Sequence, residues 1–494
     1  MQYETMPNFL KKRAFLTPER TAVHFNEKTI SFKELYDKSY QTAGKLQGLG
    51  IQKDQYIAVL LSNHLDTIVI LFALQLLGLK AVILNKRLST KELVWQLIDS
   101  RAASLILEDD LQQIKEELEI PIITKDKLFA APSDVPEIQE EVNLGDVCTV
   151  MYTSGTTGNP KGVIQTYGNH WWSGVGSALN LGYSETDCWL CSVPLFHISG
   201  FSILMRSVIY GMPIILHDSF DAVQTIEDIK TKRVTIMSVV GTMLSRIVET
   251  LKDSELPIHF RCMLLGGGPA PLPLLEACLE KGIPVFQTYG MTETSSQIVT
   301  LSPEYSISKL GSAGKPLFSS QIKILLEDGQ IAPPKKAGEI VVKGPNVTTG
   351  YLYRPDATKD TFNDGWFHTG DIGFLDEEGF LYVLERRSDL IISGGENIYP
   401  AEIESVLFAH PDVADVGVTG FNDETWGQVP AAFIVRKKNA IVTEEELKQF
   451  CLENLAKYKV PKMFHFTEKL PRNAAKKLMR RKLSELVHES RSHR

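Results

Sequence analysis

The sequence predicts an α/β protein with at least two domains, and three observations support this. The chain has 494 residues, more than one hydrophobic core usually serves. From about residue 20 to 300, short apolar runs alternate with longer helical patterns, which is typical of βαβ units with parallel sheets. The pattern then changes near residue 310 and again after Asp389. We therefore expect a large N-terminal domain over 1–388 and a smaller C-terminal domain over 389–494.

The elements can be justified in chain order. The most apolar stretch, residues 68–84, is interrupted by Gln75, Gly78 and Lys80, so it predicts a buried helix followed by a strand and no membrane segment. Between about 310 and 385, short strands separated by Gly, Pro and Asp turns predict a small antiparallel β subdomain. Beyond it, a helix from Ala401, two strands and a helix from Thr443 predict a compact α+β domain.

The composition of the chain indicates which classes of binding partner it can have. The chain is 43% hydrophobic and 23% charged with a formal net charge of −8, which is typical of a soluble globular protein and argues against nucleic acid as a partner. The cysteines form a separate observation, because six are few for this length. Cys188 and Cys191 form a CxxC pair with no second pair, so we expect a buried strand there and no metal or redox site. The sparse cysteines and the lack of an apolar leader favour the cytoplasm; homo-oligomer formation is left open.

The segment MYTSGTTGNPKG, residues 151–162, carries the clearest chemical signal. Its glycines allow backbone N–H groups to converge on an anion, while hydroxyl groups and a lysine add donors and positive charge. Pro160 precedes Lys161 and Gly162 follows it, so this is not the familiar ATPase P-loop. The segment nevertheless predicts phosphate binding. The candidate residues are Thr153, Ser154, Gly155, Thr156, Thr157 and Lys161.

Five more motifs follow this loop. They are LLGGGPAPLP (264–273), QTYGMTE (287–293), GWFHTGD (365–371), RRSDLIISGGENIYPAEIE (386–404) and LPRNAAKKLMR (470–480). Any one of them reads equally well as a Gly-rich turn. Together, in this order and over nearly the whole chain, they resemble the adenylate-forming enzymes, the superfamily of acyl-CoA synthetases, luciferases and peptide-synthetase adenylation domains. The resemblance implies a fold with a mobile C-terminal domain, and an enzyme that uses ATP, Mg²⁺ and coenzyme A to convert a small carboxylic acid into a thioester through an acyl-adenylate.

The resemblance also implies roles at the nucleotide. Glu293 is expected to hold Mg²⁺, which accepts one carboxylate together with waters, and Thr292 to reach the α-phosphate or the acyl carboxylate. The alternative is an N-capping Thr with Glu in the first helical turn. Tyr289 offers an aromatic face to adenine, and Asp371 and Arg386 match ribose-binding positions. The full set of implied nucleotide residues outside the loop is Gly267, Gly268, Pro269, Thr288, Tyr289, Gly290, Met291, Asp371 and Arg386.

Further implied roles belong to the C-terminal region. Lys477 matches the family lysine that stabilises charge on the α-phosphate in the transition state. Lys476 stands where the family has glycine, so either lysine is a candidate, with Lys477 favoured by its spacing to the following Leu and Arg. Asp389 is the implied hinge. Gly394 and Gly395 are expected to let the pantetheine arm of coenzyme A pass close to the backbone, or simply to form a tight turn.

The acid is expected to bind near residues 194–212. In a helix starting near Gly200 with Ser199 as its cap, Ser202 and Arg206 lie on one face. In so apolar a helix, Arg206 must either extend to water or meet an anion, such as a second carboxylate on the substrate. His197 is a candidate for the same pocket or a core histidine.

Other segments narrow the choice of acid. TYGNHWWSGVGSALNLG (166–182), PLFHISG (194–200) and KLGSAGKPLF (309–318) resemble the ligases of an aromatic dicarboxylic acid in menaquinone biosynthesis. Ser302 is then a further candidate contact for the aryl carboxylate. The alternatives are a ligase for a fatty or cinnamate-type acid and a non-catalytic nucleotide-binding protein.

Overall fold

The structure is a computed structural model that describes residues 4–108, 120–153, 160–267, 272–306, 308–385, 390–438, 440–471, 478, 480, 482 and 483. Its elements come in the order that the sequence predicts. Parallel strands alternate with helices up to about residue 290, antiparallel strands follow, and an α+β unit ends the described chain. The α/β fold class is confirmed.

Two large sheets form the N-terminal part of the described chain. In the first, parallel strands in the order β9-β5-β4-β6-β7 carry antiparallel β10 at one edge. Its strands are β4 (Tyr56–Leu60), β5 (Lys80–Ile83), β6 (Ser104–Leu107), β7 (Ile122–Thr124), β9 (Val147–Thr153) and β10 (Lys161–Thr166). A separate antiparallel pair joins β1 (Thr5–Pro7) to β8 (Glu141–Asn143).

The second sheet has a parallel centre in the order β15-β14-β13-β11-β12-β2, with antiparallel strands at both edges. Its strands are β2 (Thr21–Phe25), β3 (Lys28–Ser31), β11 (Trp189–Cys191), β12 (Ile214–Leu216), β13 (Ile236–Val239), β14 (Cys262–Leu265), β15 (Val285–Met291), β16 (Ser296–Leu301) and β17 (Lys315–Pro316). Cys188 and Cys191 are buried at β11, as the prediction of a buried strand requires, and burial raises the pKa of each thiol to about 12.

Helices pack between and around these sheets. Those of the N-terminal part are α1 (Phe9–Leu16), α2 (Phe32–Gly48), α3 (Leu65–Leu76), α4 (Thr90–Ser100), α5 (Lys125–Ala130), α6 (Tyr167–Leu181), α7 (Ile198–Tyr210), α8 (Ala222–Thr231), α9 (Gly241–Leu251), α10 (Leu272–Glu280) and α11 (Pro355–Thr361). The predicted buried helix is α3, which is apolar on nearly every side because it belongs to the core shared by both sheets. Along β4, Ile57 and Val59 face that core, while Ala58 and Leu60 face a second core that α4 covers.

The antiparallel subdomain is confirmed as a five-stranded sheet among the described residues, built from β18 (Gln321–Leu325), β19 (Gly338–Lys343), β20 (Phe362–Asn363), β21 (Trp366–Leu375) and β22 (Leu381–Glu385). The C-terminal unit contains β23 (Ile391–Ser393), β24 (Glu396–Ile398), α12 (Pro400–Phe408), β25 (Val413–Asp423), β26 (Gly427–Arg436), α13 (Glu444–Asn454) and β27 (Met463–Phe466). Thr443 caps α13 through a capping box with Glu446, so the helix begins where the sequence predicts it. Within the described ranges, no helix is long and apolar enough to cross a bilayer.

Candidate active site

A cavity of about 590 Å³ opens at the carboxyl ends of the parallel strands β11 to β15, where α/β sheets commonly bind ligands. The chain leaves each strand there through a loop, and these loops form one wall. Residues 394–397 and 425–426 of the C-terminal unit form the opposite wall. Predicted site residues on the lining are His197, Gly267, Thr288, Gly290, Met291, Thr292, Gly394 and Gly395. The structure therefore brings part of the predicted nucleotide set, His197 of the predicted acid set and both predicted coenzyme A glycines to one cavity.

Glycine is required at two places on these walls. Gly267 follows β14 with φ of 84°, in the left-handed region that L side chains rarely adopt. In the turn between β23 and β24, Gly394 and Gly395 have φ of 58° and 88°, and a Cβ atom on Gly394 would lie 2.7 Å from the ring of Trp426. The tight-turn interpretation of this pair is thus confirmed, and its position on the cavity agrees with the implied role toward coenzyme A.

The turn after β15 holds Thr292 and Glu293. It is a short 3₁₀ turn, Thr292–Thr294, in which Thr292 faces the cavity and the hydroxyl of Tyr351 donates to Glu293 Oε1 at 3.1 Å. Lys161 lies with its Nζ 5.1 Å from the centre of the Tyr351 ring. The lysine of the phosphate loop and the predicted metal-binding carboxylate are therefore neighbours of the same tyrosine. The capping alternative is not what is observed, because Met291 occupies the cap position and the turn does not continue as an α-helix.

Tyr289 and Asp371 lie behind the cavity wall. The Tyr289 hydroxyl donates to Asp371 Oδ2 at 2.7 Å, and both residues are buried. The ring of Tyr289 packs with Ile298 and Val299 in the core of the β subdomain, so the expected stacking face is covered in this structure. Their roles toward adenine and ribose stay predictions.

His197 lines the cavity but also joins the two parts of the chain. Its Nε2 lies 3.1 Å from the carboxylate of Glu396, to which Arg87 Nη1 donates at 2.6 Å and Asn85 Nδ2 at 3.3 Å. Burial opposes ionisation of Glu396, but His197 and Arg87 lower its pKa to about 2. His197 is therefore neither a core histidine nor solely an acid-pocket residue in this structure.

Helix α7 differs from its prediction. It begins at Ile198, close to the expected start near Gly200, but His197 is at the cap position, so the expected Ser199 cap is wrong. Ser202 donates to the Ser199 carbonyl at 3.1 Å and does not line the cavity. Ser302 precedes a 3₁₀ turn, Pro303–Tyr305, and is also absent from the lining. The structure does not bring these two serines to the cavity.

Arg206 is fully inside the protein. It is 2% exposed, so the interpretation that it extends to water is wrong. Its guanidinium lies 5.3 Å from the ring of Trp189, whose Nε1 donates to Ser238 Oγ at 3.2 Å, and Ser238 lines the cavity. Burial lowers the pKa of Arg206, and within the described residues it forms no ion pair while its Nε has no hydrogen-bond partner. The arginine thus stands one layer behind the cavity wall without a compensating anion.

Several predicted residues fall outside the described ranges: Ser154, Gly155, Thr156, Thr157, Gly268, Pro269, Arg386, Asp389, Lys476 and Lys477. Thr153 ends β9 and Lys161 begins β10, so the predicted phosphate loop connects two paired strands. Sequence reasoning missed Arg87 and Glu396. Glu396 belongs to the quoted ISGGEN motif, which was a signal for it, whereas no motif marked Arg87.

Comparison with known proteins agrees with this geometry. Residues 10–352 match the AMP-binding enzyme family, and residues 402–477 match the AMP-binding enzyme C-terminal domain. The 2-succinylbenzoate–CoA ligase of Geobacillus kaustophilus is 58% identical over 98% of this chain and 98% of its own.

Two solved structures of o-succinylbenzoate CoA synthetase from Bacillus subtilis are each 51% identical. A double mutant with a product analogue covers 98% of both chains with a TM-score of 0.94. The complex with the acyl-adenylate intermediate covers 97% of this chain and 98% of that one with a TM-score of 0.78. The protein therefore belongs to the AMP-binding enzyme family, the adenylate-forming enzymes.

Proposed function

We propose that this enzyme joins 2-succinylbenzoate to coenzyme A in menaquinone biosynthesis. In the first step a carboxylate oxygen attacks the α-phosphorus of ATP, the bond to the β-phosphate oxygen breaks, and pyrophosphate leaves. In the second step the thiol sulfur attacks the acyl carbon, loses its proton and expels AMP. The products are 2-succinylbenzoyl-CoA, AMP and pyrophosphate.

One observation carries this proposal: a single cavity has the nucleotide-side residues Gly267 and Thr292 on one wall and the Gly394–Gly395 turn on the other. Both half-reactions need such a site, since the adenylate must stay in place while the thiol arrives. With glycine at both positions, this turn offers backbone and no side chain to a thin, uncharged chain such as pantetheine. The 58% identity to a 2-succinylbenzoate–CoA ligase supports the same reaction.

The choice of a dicarboxylic acid is supported by Arg206. A buried guanidinium without an ion-pair partner is expensive to maintain and raises the positive potential of its surroundings. An acid pocket for a fatty acid gains nothing from that charge. A second carboxylate in the cavity would be stabilised by it even through the intervening Trp189 and Ser238.

The residues also fit Mg²⁺. Glu293 presents a hard carboxylate at the hydroxyl of Tyr351, whose ring Lys161 approaches, and magnesium commonly uses one or two carboxylates together with substrate phosphates and water. When bound, the ion would neutralise charge on the phosphate oxygens of ATP. Lys161 and Thr153 at the ends of the phosphate loop and Lys477 of the C-terminal region are the proposed protein contacts around that charge. Asp389 is the proposed hinge between the two domains.

The experiment is mass-spectrometric detection of thioesters after incubation with Mg-ATP, coenzyme A and a mixture of 2-succinylbenzoate, fatty, cinnamate-type and benzoate acids. We expect the thioester of 2-succinylbenzoate alone. Lys477→Ala should abolish it, and Lys476→Ala serves as the matched control that keeps it. A thioester of another acid would contradict the substrate, and no thioester or AMP from any acid would contradict the ligase reaction.

A further inference from the structure

Two buried polar side chains on the cavity lining have atoms without hydrogen-bond partners among the described residues. They are Ser192, through Oγ, and Gln297, through both Oε1 and Nε2. Gln297 is 2% exposed. A buried amide that leaves both its donor and its acceptor unpaired is unfavourable in a protein interior, so such groups call for a functional explanation.

The backbone around Gln297 is shaped to hold it in this place. The antiparallel pairing of β15 with β16 shifts register between Tyr289 and Gly290, and a Cβ atom on Gly290 would lie 2.0 Å from the Ser296 carbonyl oxygen. Bulges of this kind re-aim side chains next to active sites. Just before Gln297, Ser295 and Ser296 have φ of 50° and 102°, a strained conformation for residues other than glycine. The strained backbone of these two residues sets the direction in which β16 begins beside the cavity.

The same segment is connected to Arg206. Ser173 Oγ donates to the Ser295 carbonyl at 2.7 Å, and Arg206 Nη2 donates to Ser173 Oγ at 3.5 Å. The unpaired amide of Gln297 and the guanidinium of Arg206, which has no ion pair among the described residues, are therefore linked through Ser173 and the backbone of Ser295. Both are groups that a polar, anionic acid would complete.

We propose that Gln297 is a specificity-determining residue whose Nε2–H group donates to an oxygen of the acid away from the reacting carboxylate. The inference rests on the proposed function. 2-Succinylbenzoate has two such acceptors, the ketone and the ring carboxylate, and a plain alkyl chain has neither. A site that hydrogen-bonds a substrate group rejects analogues lacking that group, because its own buried polar atoms are then left unpaired.

The test compares the unmodified enzyme with Gln297→Met, which keeps the length of the side chain and removes its hydrogen bonding. Three acids are used: 2-succinylbenzoate, 4-oxo-4-phenylbutanoate, which lacks the ring carboxylate, and 4-(2-carboxyphenyl)butanoate, which lacks the ketone. We expect kcat/KM for the full acid to fall about tenfold. With the analogue that lacks the contacted oxygen the loss should disappear, and this identifies the oxygen. Gln75→Met, a buried glutamine of α3 that contacts Met205 Sδ at 3.5 Å, is the control expected to keep the original kcat/KM.

An equal loss with all three acids, or no loss, would overturn the inference. Thermal unfolding of the ligand-free variant gives an independent reading: removal of an unpaired amide should leave the midpoint unchanged or raise it, and a drop of several degrees would indicate a structural role instead. If the unmodified enzyme forms no thioester from any of the three acids, the proposed function itself fails, which is distinct from an active enzyme that is insensitive to Gln297→Met.

Discussion

At the scale of single residues, the unusual feature of this enzyme is a positive charge in an apolar helix. Arg206 is buried, lies against Trp189 and forms no ion pair within the described ranges. Removing a buried charge that has no ion-pair partner relieves its desolvation penalty. Stability and substrate recognition therefore place opposite demands on this position.

We expect Arg206→Met to lower kcat/KM for 2-succinylbenzoate about tenfold, because the charge acts on the second carboxylate from behind Trp189 and not through a direct hydrogen bond. The free energy of unfolding should stay the same or rise. Steady-state kinetics and urea unfolding of the same preparations check both. With 4-oxo-4-phenylbutanoate, which has no ring carboxylate, the variant should lose much less; an equal loss would mean that the arginine acts on the fold and not on the acid.

The neighbouring His170 gives a pH prediction. Its Nε2 lies 3.0 Å from Thr149 Oγ1, and burial together with the charge of Arg206 lowers its pKa to about 3. The ring is neutral in the folded chain, while the unfolded chain binds a proton near pH 6.5. Because the folded-state pKa is depressed, this contribution to stability is present above pH 6.5 and is lost as the pH falls toward 3.

For this one histidine the loss between pH 7 and pH 5 is about 2 kcal/mol. His170→Gln should remove that part of the pH dependence, although the lost contact makes the variant less stable at pH 7. Urea unfolding of both proteins at several pH values between 5 and 7 measures the difference. Parallel pH profiles would show that His170 does not titrate as its burial implies.

At the scale of elements, the turn between β23 and β24 both borders the cavity and fastens the C-terminal unit. Glu396 directly follows Gly395 and pairs with Arg87 and His197 of the N-terminal part. Its pKa of about 2 lies below the ordinary value, so the stabilisation from this pairing is present above pH 4.5 and is lost as the pH falls toward 2.

We expect Glu396→Gln to slow thioester formation more than adenylate formation, because the turn is in contact with the cavity in this arrangement of the chain. Single-turnover measurement of pyrophosphate release and of thioester formation separates the two steps. We expect a loss of about tenfold in the second step. Glu377→Gln, which removes an exposed ion pair with Lys335, is the matched control and should change neither step. Equal slowing of both steps would contradict this role.

The elements also show where sequence reasoning succeeds and fails. The run of apolar residues in α3 is a local signal that predicts a buried helix, and α13 begins directly after Thr443, where the sequence predicts a helix. The cap of α7 is His197 and not the predicted Ser199, and Gly200 lies inside the first turn of the helix. A Cβ atom on Gly200 would be 2.2 Å from the Pro194 carbonyl oxygen, so this close approach of the preceding loop requires glycine. The sequence pattern did not indicate that approach.

The site residues also divide into those that local motifs indicate and those that only the folded structure brings together. Thr292, Gly267 and the Gly394–Gly395 pair lie within motifs, and the structure brings them to the cavity as predicted. The partners of Glu396 lie 309 and 199 residues away along the chain, so no local pattern could indicate them. The placement of Arg206 behind Trp189, and not on the lining, likewise depends on how α7 packs against β11.

At the scale of the whole molecule, the position of the C-terminal unit relative to the N-terminal part is more similar to that in one solved relative than in another. The two Bacillus subtilis structures have the same identity and nearly the same coverage, yet their TM-scores are 0.94 and 0.78. Sequence divergence cannot produce that difference. The described chain therefore shares its overall arrangement with the product-analogue complex more closely than with the acyl-adenylate complex.

A buried trio stabilises this arrangement. Lys459 Nζ donates to Glu402 Oε1 at 2.7 Å within the C-terminal unit and also to Glu92 Oε1 at the start of α4. Burial raises the pKa of Glu402, whose Oε2 has no hydrogen-bond partner within the described residues. Burial also opposes ionisation of Glu92, but Lys459 lowers its pKa. We infer that Glu92 carries the negative charge that pairs with Lys459, and that this pair exists only while the two parts are in contact.

Glu92→Gln removes the charge from the N-terminal side alone and leaves the Lys459–Glu402 contact within the C-terminal unit. We expect it to disfavour this arrangement by about 1–3 kcal/mol, which changes the ratio of the two arrangements roughly 5- to 150-fold. Small-angle scattering with and without a product analogue reports that ratio, and single-turnover kinetics should show slower thioester formation with adenylate formation preserved.

Glu402→Gln is the informative contrast, because it perturbs the C-terminal unit itself and should lower its unfolding midpoint. A Glu92→Gln enzyme with unchanged scattering and unchanged half-reactions would mean that the trio forms in this arrangement without stabilising it, and that the arrangement depends on Glu396 and the ligand instead.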